Sequence, residues 1–159
     1  MDSKARPGVL LMVKFESALS PEDLEVLLNK ESGLRGICGT NDMREVLERA
    51  DAGDARARLA IDMYCYRVKK YIGAYTAVLG RVDALVFTAG IGERAAPIRA
   101  SCCQGLHGIG IALDEAKNRG GSEPPFEIQA ESSPVKILVI RTDEELEIAE
   151  QTLARIRGR

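Results

Sequence analysis

The run Val82-Asp83-Ala84-Leu85-Val86-Phe87-Thr88-Ala89-Gly90-Ile91-Gly92-Glu93 constrains this chain more than any other. A short apolar stretch bounded by turn residues predicts a strand buried on both faces, as in parallel sheets. Gly90 and Gly92 predict a turn after that strand, with a helix opening just behind it. Backbone without a Cβ can come close to a ligand, and the unpaired N–H groups of a helix start point back to the same place. That geometry suits a nucleotide. The same residues also suit an ordinary strand-to-helix connection, and a lone glycine pair does not decide between the two.

Composition sets broad limits. At 159 residues the chain is long enough for one domain with a core. Its net charge of −2 gives no basic footprint, so nucleic acid is not expected as a partner. No apolar stretch reaches the roughly 20 residues of a membrane span, and the N-terminus lacks the pattern of a secretory signal. The expectation is a cytoplasmic protein with no membrane partner. Cys38, Cys65, Cys102 and Cys103 show no CxxC spacing and read as reduced thiols. His107 is the only histidine and reads as an ordinary surface or half-buried residue. A zinc site and a histidine-based nucleophile are therefore not expected.

Along the chain, Pro7-Gly8 precedes an apolar run over 9–13 that suits a strand or a buried helix. Ser20 reads as the N-cap of a helix with Pro21 in its first turn and Leu24, Leu27 and Leu28 as its stripe, ending near 30–33. Gly33, Gly36 and Gly39 predict a loop, after which Thr40-Asn41-Asp42 caps a short helix carrying Met43, Val46 and Leu47. Gly53-Asp54 opens the longest helix, which runs to about Leu79 and stops at Gly80. It is apolar on two sides: Leu59, Met63 and Tyr66 lie with Lys70, while Ala60, Tyr64, Val68, Tyr71 or Ile72, and Tyr75 lie on another face. One side is expected to cover the sheet, the other a further helix or a partner chain.

A helix over 97–106, a turn over 112–118, a highly flexible stretch over 120–125 and a short strand over 126–129 follow. The segment 135–140 predicts a second buried strand, and Thr142 with Glu145 forms a capping box for a last helix. This is an α/β pattern with too few strands for its helices.

Three segments taken together resemble the acetate and propionate kinase family, within the sugar-kinase/actin/heat-shock-70 superfold. They are 27–36 leading to Asn41-Asp42-Met43-Arg44-Glu45, 83–93 with Ile98-Arg99 behind it, and Val139-Ile140 followed by Thr142-Asp143-Glu144-Glu145. The loop Gly108-Ile109-Gly110-Ile111-Ala112-Leu113-Asp114 is also similar to the family's. The resemblance covers nearly the whole chain but only the C-terminal part of a family member. It implies part of an actin-like ATPase (ribonuclease H-like) domain, with helices around a partial mixed sheet, whose opening strands lie outside this sequence. Residues 1–6 match the family poorly and read as a tag, a frameshift boundary or a true start; 7–159 reads as the nucleotide-binding part.

The resemblance also implies an activity: transfer of the γ-phosphoryl of ATP, with Mg²⁺, to acetate, giving acetyl phosphate and ADP, in a homodimeric enzyme. Propionate or butyrate as acceptor, and a non-catalytic self-associating module, are the alternatives. Asp42, Met43 and Arg44 would contribute to the nucleotide site. Gly90, Ile91, Gly92, Glu93 and Arg94 would form the adenosine turn, with Ile91 and Ile98 flanking the base. Glu144 would hold the magnesium ion through its waters. Arg94 and Asp143 stand where the family most often has Asn. No catalytic residue is expected in this chain, because the family's phosphoryl-stabilising groups lie upstream.

Overall fold

The computed structural model describes residues 19–121 and 123–157. The expectations for 1–6 and for the apolar run 9–13 lie outside the described residues, as does Ser122 of the glycine- and proline-rich stretch. Helix α1 spans Pro21–Val26, and Ser20 caps it, its Oγ accepting from the Asp23 amide at 3.1 Å. The coil continues as a π-turn over Leu27–Glu31, matching the expected end. The glycine-spaced segment is not a loop. It forms helix α2, Gly33–Cys38, closed by Gly39 at φ +85°. Glycine disfavours a helix interior by about 1 kcal/mol, but Cys38 is buried and Leu34 and Ile37 pack against the core, so tertiary contact overrides propensity here.

Helix α3, Met43–Asp51, has Asp42 as its N-cap and buries Met43, Val46 and Ala50. Helix α4, Ala55–Leu79, is capped by Asp54, whose Oδ1 accepts from the Arg56 and Ala57 amides at 2.8 and 3.2 Å. One guanidinium ties these three helices together. Arg49 donates from Nη1 to the Cys38 carbonyl at 2.8 Å, and from Nε and Nη2 to Asp54 Oδ2 at 2.9 and 2.6 Å.

The buried side of α4 (Ala57, Ala60 and Cys65) packs chiefly on α2, α3 and the later helix α6, Ala96–Cys103, rather than on the sheet. Tyr64, Val68 and Ile72 step by four residues and keep to this side. Tyr71 and Tyr75, expected there, fall outside that row. They are exposed and stack on each other, with ring centroids 6.4 Å apart. Leu59, Met63 and Tyr66 on the other side are exposed as well.

Three strands, β1 (Ala84–Phe87), β2 (Phe126–Glu127) and β3 (Lys136–Val139), form one mixed sheet in the order β1-β3-β2. Strands β1 and β3 run parallel with Ala84 opposite Lys136 and Phe87 opposite Val139, and β2 is antiparallel to β3. Leu85, Phe87, Ile137 and Val139 turn to the core. Val86, on the opposite face, is 46% exposed. The strand expected to be buried on both faces is thus buried on one, because no described element covers the second face.

Helix α5, Ala89–Arg94, follows β1, and α7, Glu115–Gly120, replaces the turn expected near 112–118. Asp114 starts α7 by accepting from the Lys117 amide at 2.9 Å. Helix α8, Glu144–Arg157, is exposed along its length. The four cysteines are free and buried. Burial pushes the Cys103 thiol up to about 12, and the adjacent Cys65 together with burial pushes Cys102 up, so these two stay protonated at neutral pH. Among the described residues no helix is long and apolar enough to cross a membrane.

Candidate functional site

Strands β1 and β3 point the same way, so the segments that leave their C-terminal ends lie side by side. In open α/β sheets that is where ligands bind. The segment after β1 enters α5 directly. Gly90 and Gly92 therefore sit inside the helix and not in a turn ahead of it, and the left-handed residue at the junction is Ala89, at φ +59°. The two glycines differ in purpose. A Cβ on Gly92 would lie 3.2 Å from the Phe87 carbonyl carbon, so Gly92 lets the helix settle onto the strand. A Cβ on Gly90 would meet nothing within 4 Å, so Gly90 leaves backbone open to the groove.

The segment after β3 is locked to α5. Thr142 Oγ1 accepts from the Ala89 amide at 3.0 Å and shares a 2.6 Å hydrogen bond with Thr88 Oγ1. The Thr142 amide donates to Glu93 Oε1 at 2.8 Å. Thr142 is thereby withdrawn from the capping box. Asp143 caps α8 instead, its Oδ1 accepting from the Leu146 amide at 3.0 Å.

A third tether comes from Arg99 on α6, only 3% exposed. Its Nη1 donates to the carbonyls of Gly92 and Glu93 at 2.9 and 2.8 Å. Nε and Nη2 donate to Asn118 Oδ1 and to the Asn118 carbonyl at 2.8 and 2.9 Å. Asn118 in turn donates to the Ala96 carbonyl at 2.9 Å. Burial lowers the Arg99 pKa from its usual value. Asn118 did not stand out in the sequence, and Arg99 stood out only as the end of the second family-like segment, not as a site residue. The available signal is an arginine set among Ile98, Cys102 and Cys103 on one short helix.

Two larger hollows and one smaller open on this frame. The first, about 390 Å³, lies between the start of α3 and α5. Asn41, Asp42, Met43, Arg44 and Leu47 line one side; Gly90, Ile91, Arg94, Ala95 and Pro97 line the other. Its size falls in the range of small-molecule sites. Arg44 grips Asp42 with both ends of its fork, Nε to Oδ1 at 3.1 Å and Nη2 to Oδ2 at 2.7 Å. Those bonds hold the Asp42 carboxyl at about 2, well below the usual carboxylate range.

The second hollow, about 610 Å³, is polar, with Glu93, Arg141, Asp143, Glu144 and Glu145 on its walls. It shares Gly90 and Arg94 with the first.

The structure thus gathers Asp42, Met43, Arg44, Gly90, Ile91 and Arg94 around the first hollow, and Glu93 and Glu144 at the second. Gly92 lines neither hollow. Nor does Ile98, which is 3% exposed and packs in the core; Pro97, its neighbour, reaches the groove instead. Among the described residues no three metal-ligating side chains cluster. An exposed carboxylate such as Glu144 still fits magnesium, which keeps several waters and takes its remaining ligands from substrate phosphates.

A mixed sheet flanked by helices, with a groove at the ends of its parallel strands, defines an α/β ligand-binding fold. The model of the Acetokinase family matches residues 3–150, and the chain belongs to that family. It is 58% identical over 151 residues to the acetate kinase of Syntrophobacter fumaroxidans, covering 95% of this chain and 37% of that protein. The crystal structure of Porphyromonas gingivalis acetate kinase superposes with a TM-score of 0.80 at 40% identity, covering 86% of this chain and 34% of that one. A propionate kinase from Francisella tularensis gives 0.76 at 44% identity, covering 82% and 33%. The chain therefore spans about 37% of the length of the curated relative.

Proposed function

We propose that this chain is the nucleotide-binding C-terminal part of an acetate kinase. The observation that carries this reading is the continuity of the two hollows at Gly90 and Arg94: one is largely apolar-walled, the other charged. Adenosine lies in the first, against Met43 and Ile91, with Asp42 and Arg44 at its polar edge. The phosphate tail passes the bare backbone of Gly90 and enters the second.

Glu144 would hold Mg²⁺ there through its waters, and the ion would supply charge neutralisation for the transferring phosphoryl. In the whole protein the reaction is in-line transfer from ATP to acetate, where positioning and charge neutralisation do most of the catalysis. This chain supplies the nucleotide's position and one metal carboxylate. Propionate or butyrate is the alternative acceptor, and a propionate kinase among the similar structures supports keeping it in view. The four free buried thiols support a cytoplasmic setting.

Calorimetric titration of the chain with ADP and Mg²⁺ tests the reading. Saturable binding supports it; no heat at millimolar nucleotide sinks it. A coupled assay is expected to find no acetate-dependent ADP release from the chain alone. The exposed apolar row Leu59, Met63 and Tyr66 on α4 favours a second role, self-association into a homodimer. Sedimentation equilibrium would show a dimer if that face is buried between copies, and a monomer if it is not.

A further inference from the structure

The hydrogen bond between the Thr142 amide and Glu93 Oε1 has a consequence for the residues next to its two ends. It brings Arg94 and Arg141 to the same groove: both line the second hollow, and both line the smaller hollow beside it, of about 340 Å³. Six ion pairs stud the described surface, and neither Arg94 nor Arg141 takes part in one. Glu93, Asp143, Glu144 and Glu145 share the second hollow with them, but none of the four forms an ion pair with either arginine. Glu93 is engaged by the Thr142 amide, and Asp143 by the Leu146 amide. Two exposed guanidiniums thus face a cavity that continues from the first hollow through Gly90.

We propose that Arg94 and Arg141 form a paired guanidinium subsite for the phosphate tail of a nucleoside di- or triphosphate. The proposal rests on the reading of the first hollow as the adenosine site. A guanidinium presents parallel N–H donors that match two phosphate oxygens, and such charge-assisted bonds are stronger than neutral ones. The four carboxylates, Glu93, Asp143, Glu144 and Glu145, would by themselves repel a bare tail and would need a divalent ion to hold it. The arginines contribute an attraction that needs no metal. The chain should therefore tell ADP from adenosine even with magnesium chelated, and that discrimination should weaken as salt screens the exposed charges.

The test is calorimetric titration of the 159-residue chain with adenosine and with ADP, in EDTA, at low and at moderate salt. The ratio of the two dissociation constants is the readout. The wild type is expected to bind ADP at least about tenfold more tightly than adenosine at low salt. Arg94→Asn and Arg141→Ser should each cut that ratio severalfold, and Arg141→Lys, which keeps the charge, should restore most of it. An ADP preference unchanged in both Arg94→Asn and Arg141→Ser overturns the subsite. A wild-type chain that binds ADP no better than adenosine overturns it too. Failure of adenosine itself to bind the wild type brings down the underlying reading of the first hollow, and this subsite with it, so the two failures are told apart.

Discussion

Glu93 accepts a hydrogen bond from the Thr142 amide at 2.8 Å across 49 residues of sequence, and Thr142 Oγ1 accepts in return from Ala89, at the head of the helix that carries Glu93. The loops leaving β1 and β3 are thereby clamped face to face. The clamp also holds Ala89 at φ +59°, a conformation that costs a residue with a Cβ about 1 kcal/mol.

Thr142→Val keeps the shape of the side chain and removes its bonds to Ala89 and Thr88. A loss of about 0.5–1.5 kcal/mol in urea unfolding is expected, the net worth of a hydrogen bond whose exposed Ala89 amide turns to water when the acceptor is removed. Ala89→Gly in the same background should return about 1 kcal/mol, since glycine adopts positive φ without strain. A Thr142→Val chain as stable as the wild type would remove the clamp from this account.

Arg99→Met leaves the part-buried carbonyls of Gly92 and Glu93 and the buried carbonyl of Asn118 without their donor. We expect destabilisation of about 2–4 kcal/mol, because a buried polar group stripped of its partner carries its full desolvation cost. Arg99→Lys should fall between, since one ammonium cannot span α5 and α7 together. Denaturant midpoints of the three proteins decide the order.

Gly92→Ala and Gly90→Ala are expected to diverge. The Gly92 methyl would press on the Phe87 backbone at 3.2 Å and cost about 1–3 kcal/mol. The Gly90 methyl meets no protein atom within 4 Å, so stability should hold or rise by up to about 1 kcal/mol through helix propensity. That methyl nevertheless intrudes on the groove, and ADP affinity should fall. Thermal melts and ADP titrations of the two variants should therefore rank them in opposite order.

The Arg44 fork lowers the Asp42 pKa from 3.8 to about 2. A depressed folded-state pKa means the unfolded chain binds the proton more readily. Its stabilising contribution is therefore complete above about 3.8 and is lost as pH falls toward 2. Asp42→Asn should flatten the melting temperature against pH in that window, relative to wild type, and leave the neutral slope alone. The pair is exposed, so added salt should shrink the difference.

Much of the frame was legible in local patterns. Ser20, Asp42 and Asp54 announce their helices because an N-cap needs only a side-chain acceptor two or three residues ahead of a free amide. The apolar strand signal at 135–140 and the stop at Gly80 are local for the same kind of reason. Where a choice depended on a distant partner, local signals misled. Gly33–Cys38 looks like a loop until the core that stabilises it is in place. Thr142 looks like an N-cap until Ala89 and Glu93 claim it, and Ile98, which the family resemblance implied beside the base, is turned into the core by α6.

The sequence by itself determined the helix starts at Ser20, Asp42 and Asp54, the two main strands and the motif residues of the groove, and through them the family, since each rests on contacts within a turn or on residue identity alone. The tertiary structure decided which residues face the hollows and which hold them in shape. The Glu93–Thr142 clamp, the Arg99–Asn118 tether and the one-sided sheet each join groups far apart in the chain. Only packing brings such groups to hydrogen-bond distance, and no local periodicity encodes that meeting.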